Sequence, residues 1–212
     1  MRLAIFSESY GDDEAIRILV DAVLGFKTER PPMPRLEARN GKDHVFAMLP
    51  SVIKQLHFGS HVDALVVVVD SDETPVHDAR HQGVEPENPK CRLCRLRMIS
   101  RETIATLKPI PYKTPLKLAF GLAVPAIEGW LLCGQDKHIT EAAWARGLTD
   151  REFPFTKMGL KQKLHGAQFS GRGARREPIL HAATRIAGQL DLLERLFPGG
   201  FSALANDVRG WK

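Results

Sequence analysis

Three acidic residues follow the most apolar segment of the chain. Residues 65–69 read LVVVV, and the chain continues with Asp70, Ser71, Asp72 and Glu73. Carboxylates this close together repel one another and lose hydration. They therefore indicate either the solvated end of a strand or a site for a cation. Clustered oxygen ligands suit Mg²⁺ or Mn²⁺, which keep several waters and accept phosphate oxygens as further ligands.

A further carboxylate, Glu8, follows the first apolar run of the chain, RLAIF at residues 2–6. If both runs are neighbouring parallel strands, their carboxyl ends share one edge of the sheet, where ligands bind. Side-chain alternation then lets Asp70 and Asp72 face the same site. Without a cation these acids would repel one another, so replacing Asp70 or Asp72 by asparagine is expected to stabilise the metal-free fold or leave it unchanged.

Glu128 lies within the apolar stretch VPAIEGWLL, residues 124–132. Glutamate is seldom fully buried without a partner. This residue could join the acidic site, pair with an arginine, or simply interact favourably with the N-terminal end of a helix. We include Glu128 among the candidate metal ligands.

A second group of residues has spacings typical of zinc ligands. Cys91 and Cys94 form Cys-x2-Cys, and His77 and His81 form His-x3-His before them. Two cysteines three residues apart on a basic amphipathic helix are also ordinary small apolar residues. We favour this second interpretation and keep a structural Zn²⁺ at Cys91 and Cys94 as the alternative.

Basic residues cluster apart from the acids, at 90–101, 157–166 and 171–177. Such side chains hold phosphates without reading base sequence, although a solvated helix face looks the same. The candidate substrate-binding residues are Arg92, Arg95, Lys161, Arg172, Arg175 and Arg176.

Apolar periodicity predicts an α/β fold. Strands are predicted at 2–6, 63–70 and 115–124, with a weaker one at 35–39, and helices alternate with them. Pro50 is expected to kink or split the helix at 43–57. Beyond residue 134 only helical patterns recur, among them a predicted helix at 177–197. We therefore predict a parallel, helix-flanked sheet over residues 1–134 and a helical C-terminal region packed on it over residues 135–212.

Composition narrows the class of protein. The chain has 212 residues, of which 43% are hydrophobic, and its formal net charge is +5. It contains no run of about 18 apolar residues, and its start becomes acidic too early for a signal peptide. Three cysteines do not make a disulfide framework. We expect a cytoplasmic protein without a membrane partner, and the clustered basic residues favour nucleic acid or nucleotide as ligand.

With these residues assembled, the chain resembles the Toprim fold of topoisomerases, bacterial primases and related nucleases. FSESYGDDEAIRILV resembles the family's first strand, glutamate and helix, and Asp70-x-Asp72 resembles its DxD motif. Ser9-Tyr10 stands where the family usually has glycine. The chain is also similar to a bacterial Toprim-like family of unknown function, through AIEGWLL and the C-terminal FPGGFSALANDVRGW. Relatives in that family are often associated with defence against phage.

The resemblance implies Mg²⁺-dependent phosphodiester hydrolysis. Asp70 and Asp72 would hold the metal, and Glu8 would be a general acid or base or a further ligand. The alternative, from another functional class, is a non-catalytic module that binds nucleic acid or a partner protein. Such a module would retain the acidic site as a relic or as a ligand sensor. The partner could also be a second copy of the chain, in a homodimer. A third interpretation, an enzyme acting on small phosphates, has no glycine-rich phosphate loop to support it.

Overall fold

Three parallel strands form the centre of the fold in the computed structural model, which describes residues 1–31, 41–59, 61–81, 88–166 and 176–211. The strands are β1 (Leu3–Phe6), β2 (Ala64–Asp70) and β3 (Lys117–Ala123), in the order β1-β2-β3. Every β2 residue before Asp70 is buried. Because successive side chains point to opposite faces, the burial of β2 means that both faces of the sheet are covered.

Within the described residues, four helices lie between or directly after the strands. They are α1 (Tyr10–Leu24), α2 (Gly41–Gly59), α3 (Arg92–Ala105) and α4 (Ile127–Leu131), and a single 3-10 turn spans Ala79–His81. Helix α2 packs on α3 and on β2, whereas α1 packs on β1. The alternation of strand and helix confirms the predicted α/β class with a parallel sheet.

Five further helices make up the described part of the C-terminal region. They are α5 (Glu141–Asp150), α6 (Lys157–His165), α7 (Arg176–Ala187), α8 (Leu190–Leu196) and α9 (Phe201–Arg209). Helix α7 packs along α1, and α9 packs on β3 and α1. Within the described residues beyond 134 there is no strand.

The last residues of the described chain cover the outer edge of β3. Asp207 Oδ2 accepts a hydrogen bond of 3.1 Å from the backbone N–H of Phe120. The indole N–H of Trp211 donates to the carbonyl of Leu118 at 3.3 Å. Backbone groups of an edge strand that would otherwise be open to pairing are therefore satisfied by the C-terminal helix and its end.

Two details of the predicted elements differ from the structure. Pro50, which was expected to kink or split its helix, does not split it: α2 continues past Pro50 to Gly59, and Leu49, Val52 and Ile53 around it are buried in the core. The predicted helix at 177–197 is two helices, α7 and α8. The weak strand predicted at 35–39 lies outside the described residues. Among the described helices, none combines the length and apolar character needed to cross a membrane.

Candidate functional site

The parallel pairing of β1 with β2 brings Glu8 and Asp70 together. Phe6 pairs with Val67, so the residues that follow each strand emerge at the same edge of the sheet. Glu8 Oε1 accepts a hydrogen bond of 2.9 Å from the backbone N–H of Asp70. Ser9, which follows Glu8, has φ −141° and ψ 149°. This extended conformation suits any residue, so the join to α1 needs no glycine there.

Asp72 reaches the same site by a turn and not by strand alternation. Strand β2 ends at Asp70, and Asp72 has φ 47°, in the left-handed region that aspartate tolerates better than most residues. Its N–H donates to the Pro125 carbonyl at 2.9 Å, and its own carbonyl accepts the Trp144 indole N–H at 3.0 Å. Backbone contacts on both sides therefore fix the direction of the Asp72 carboxylate.

Two cationic side chains hold the aspartates. Lys157 Nζ lies 2.6 Å from Asp70 Oδ2 and 2.6 Å from Asp72 Oδ1. Arg92 Nη1 lies 2.8 Å from Asp72 Oδ2 and also donates to the Asp70 carbonyl oxygen. Lys157 is the first residue of α6, whose N-cap Thr156 accepts the N–H of Gly159. The acidic edge of the sheet is thus closed by residues from α3 and α6.

Glu128 also belongs to this site. It is the second residue of α4. This helix starts very close to the end of β3: a side chain at Gly129 would place its Cβ 2.3 Å from the Val124 carbonyl oxygen. Glu128 is 7% exposed, and its Oε1 lies 3.9 Å from Lys161 Nζ. Within the described part of the chain, its buried Oε2 has no hydrogen-bond partner. An orphaned carboxylate oxygen facing other carboxylates is a candidate metal ligand.

Asp12 is a member of the site that the sequence analysis did not single out. It lies in the first turn of α1 and accepts a hydrogen bond of 2.7 Å from Ser9 Oγ. The negative charges of Asp70 and Glu128 are close enough to raise the pKa of Asp12. The one signal in the sequence was the concentration of acids at residues 8–14, which also fits the common preference for acids at a helix start.

Burial and mutual repulsion shift the protonation of these groups. Burial and the charge of Asp70 raise the pKa of Glu8 to about 7 and that of Asp12 to about 7. Burial also raises the pKa of Asp70 and of Glu128. Hydrogen bonds from Lys157 and Arg92 outweigh burial at Asp72 and lower its pKa to about 2.

Among the residues that the structure describes, the charges at the site do not balance. Five carboxylates, those of Glu8, Asp12, Asp70, Asp72 and Glu128, face the cationic side chains of Arg92, Lys157 and Lys161. When all are ionised, two negative charges remain, which is the charge that one divalent cation neutralises. Together with the orphaned oxygen of Glu128, this excess fits a bound Mg²⁺ or Mn²⁺.

Four of the six residues predicted to bind substrate lie within the described part of the chain. Arg92 and Lys161 lie at the acidic site, whereas Arg95 is placed over the Phe46 ring, 4.4 Å from its centroid. Arg176 forms two hydrogen bonds of 2.7 Å with Glu14. Arg172 and Arg175 lie outside the described residues.

An aromatic pocket adjoins the acidic site. It has a volume of about 190 Å³, and its lining includes Asp72, Trp144, Phe153, Phe155 and Lys157. The Trp144 and Phe155 rings are stacked with centroids 5.4 Å apart. A flat, uncharged group bound in this pocket would contact the aromatic rings, and other groups of the same ligand could then contact the acidic site.

The histidines and cysteines of the sequence analysis form a second cluster. His77 and His81 precede α3, Cys91 is its N-cap residue and Cys94 lies in its first turn. Their potential ligand atoms all lie within 4.8 Å of one another, so these four residues form a possible metal-binding cluster. Burial raises the pKa of the Cys91 thiol, and hydrogen bonds from Cys94 oppose the shift.

Comparison of the chain with models of known protein families, with curated proteins and with solved structures finds no match.

Proposed function

We propose that the protein is a divalent-metal-dependent phosphodiesterase of the Toprim-like type that cleaves nucleic acid. The observation that carries this proposal is the convergence of Glu8, Asp70, Asp72 and Glu128 at the carboxyl edge of a parallel sheet, where together with Asp12 they leave two negative charges uncompensated by the described cationic side chains. The resemblance of the motifs that supply these residues to Toprim motifs adds to it.

The four carboxylates would hold one Mg²⁺ or Mn²⁺, which polarises a phosphate and stabilises the leaving oxygen when bound. Glu8 has a pKa of about 7, so it exchanges a proton near neutral pH and suits the role of general acid or base. Arg92 orients Asp72 through the 2.8 Å contact with its Oδ2. Lys161, at the edge of the site, would contact a phosphate oxygen of the substrate.

The aromatic pocket supports nucleic acid as the substrate. Stacking of a base on an aromatic side chain does not depend on which base is present, because every base has a π face. Trp144 and Phe155 lie beside the acidic site, within reach of a nucleotide next to the reacting phosphate. Substrates are therefore expected to be single-stranded or frayed, with cleavage largely independent of base sequence.

The test is cleavage of labelled single- and double-stranded DNA and RNA with Mg²⁺, with Mn²⁺ and with chelator. Glu8→Gln, Asp70→Asn and Asp72→Asn should each abolish cleavage, and Glu8→Gln should keep metal affinity better than the aspartate variants. Asp150→Asn, which changes an exposed acid at the end of α5, is the matched control and should cleave normally. A wild-type protein without Mg²⁺ or Mn²⁺ affinity, even with nucleic acid present, would overturn the proposal.

The second candidate is a non-catalytic binding module. It is favoured by the ion pairs of Lys157 and Arg92, which neutralise part of the charge of Asp70 and Asp72 without a metal. Such a module would bind nucleic acid with a dissociation constant that rises steeply with salt, and it would do so equally well with chelator.

A further inference from the structure

The cluster of two histidines and two cysteines draws its members from two separate segments. His77 and His81 belong to the segment after β2, whereas Cys91 and Cys94 begin α3. Cys91 is 0%, Cys94 1% and His77 3% exposed. Three buried side chains and the partly buried His81 therefore bring their ligand atoms together, although apolar packing requires neither histidine.

The distances from His77 to the two cysteines match tetrahedral zinc coordination. His77 Nδ1 lies 3.6 Å from Cys91 Sγ and 3.5 Å from Cys94 Sγ. With Zn–S near 2.3 Å and Zn–N near 2.0–2.1 Å, tetrahedral angles separate sulfur from nitrogen by about 3.6 Å. A hydrogen bond from a thiol gives a similar distance, but the single lone pair of Nδ1 accepts only one proton. Two thiols at equal distance therefore fit a shared metal better than a hydrogen bond.

Charge and coordination number also fit. Two thiolates and two neutral imidazoles around Zn²⁺ form a complex of zero net charge, which suits a buried site. Four protein ligands leave no open position, and this closed arrangement is that of structural zinc and not of catalytic zinc. The buried Nε2 of His77 and Nδ1 of His81 have no hydrogen-bond partner within the described residues, so hydrogen bonding does not account for all the polar atoms gathered here.

We propose that His77, His81, Cys91 and Cys94 bind one Zn²⁺ that ties the segment following β2 to the start of α3. Both thiols lose their protons to water when the metal binds, and no oxidation occurs. The proposal of a zinc site does not rest on the function proposed for the acidic site.

The zinc would act on the acidic site through position. Arg92 follows Cys91 directly, and its guanidinium contacts Asp72 and the Asp70 carbonyl. On the other side, a Cβ on Gly199 would lie 1.7 Å from the His77 carbonyl oxygen, so the chain before α9 packs directly on this segment. Fixing Cys91 and His77 therefore fixes Arg92 as well as the contact with the C-terminal region.

The first experiment measures metal in the full-length protein, purified with reductant and without chelator or added metal. About one zinc per chain is expected, since the cluster is a single site. Replacing the zinc with Co²⁺ should produce the visible bands of tetrahedral cobalt and a thiolate-to-cobalt charge-transfer band. A folded full-length protein with no zinc and no such band with Co²⁺ would overturn the proposal.

Cysteine variants locate the site. Cys94→Ser should lose the zinc and the charge-transfer band. Cys133→Ser is the matched control, because Cys133 is equally buried but does not belong to the cluster, and it should keep about one zinc per chain. A Cys94→Ser protein that still binds one zinc with an unchanged cobalt spectrum would also contradict the proposal.

Chelation of the wild-type protein gives a readout that needs no variant to fold. Removing the zinc should lower the melting temperature by about 10 °C, as expected for the loss of several kcal/mol in a chain of this size. Adding Zn²⁺ should restore it, whereas adding Mg²⁺ should not. A melting temperature that chelation leaves unchanged would show that no structural metal was present. Since none of these measurements involves cleavage, their failure is distinguishable from failure of the proposed nuclease activity.

Discussion

The ammonium group of Lys157 lies 2.6 Å from Oδ2 of Asp70, so an internal cation already neutralises part of the acidic site. The two residues are far apart in the chain and meet because α6 begins over the carboxyl edge of the sheet. The same oxygen is a candidate metal ligand. Lys157 should therefore stabilise the metal-free fold and compete with a divalent cation for Asp70.

We expect Lys157→Met to lower the stability of the metal-free protein by about 2–4 kcal/mol at pH 8, because it leaves partly buried carboxylates without their cation. The same change should raise the affinity for Mg²⁺, since the competing ammonium is gone. Chemical denaturation and calorimetric titration measure the two effects. Lys163→Met, which removes a lysine paired with the half-exposed Asp136, is the control and should change neither. Equal Mg²⁺ affinity in wild type and Lys157→Met would refute the competition.

Asp72→Asn should destabilise the metal-free protein by about 1–3 kcal/mol at pH 7, because buried Arg92 loses its charged acceptor. This reverses the sign expected from repulsion alone. The folded-state pKa of Asp72, about 2, lies below the ordinary 3.8. Its stabilising contribution is therefore present above pH 3.8 and is lost as the pH falls through about 2. Denaturation at pH 7 and at pH 3 should show the difference shrinking, and a more stable variant at pH 7 would contradict this account.

Asp12→Asn should flatten the pH dependence of stability between pH 5 and pH 8. The folded-state pKa of Asp12, about 7, lies above its ordinary 3.8, because of burial and the charge of Asp70. Between pH 3.8 and 7 the folded protein holds a proton on Asp12 that the unfolded chain has released. The free energy of unfolding therefore falls as the pH rises through this range, and it levels off above about pH 7. At pH 8 without metal, the variant should be more stable by roughly 1–2 kcal/mol. Asp150→Asn should follow the wild-type curve; an Asp12→Asn curve that did the same would disprove the role of Asp12.

Phe155→Ala should weaken binding of single-stranded oligonucleotides by about 5- to 100-fold, which corresponds to the loss of one stacked base. Binding of duplexes should change much less, because their bases already stack on one another. Fluorescence anisotropy in chelator measures both without cleavage. The control is Phe58→Ala, an exposed phenylalanine at the end of α2, outside the aromatic pocket. Equal losses for duplex and single strand would indicate that the ring acts through general packing.

The sequence was sufficient to predict the strands that carry Glu8 and Asp70. Continuous apolar runs bounded by polar residues predict buried parallel strands, and parallel strands place their carboxyl ends together. The 2.9 Å hydrogen bond between these two residues is the local result. The predicted helix after β3 likewise carries Glu128 into the site.

Other features depend on tertiary structure that no local pattern encodes. Asp72 enters the site through a left-handed backbone conformation that hydrogen bonds with Pro125 and Trp144 hold in place. The prediction from side-chain alternation required the strand to continue to Asp72, but it ends at Asp70. Lys157 belonged to a basic stretch whose most natural function was phosphate binding. Only the placement of α6 over the sheet turns this lysine into a partner of Asp70.

The hydrogen bonds of Asp207 and Trp211 with β3 bear on how the chain is made. A ribosome releases β3 before it releases α9, so these contacts with the outer edge of β3 cannot form until Asp207 and Trp211 have emerged. A fragment cut at residue 134 would keep that edge open permanently and could pair with other copies of itself. Helix α9 and Trp211 therefore protect the sheet edge, and a nascent chain is open to edge-to-edge pairing until they have emerged.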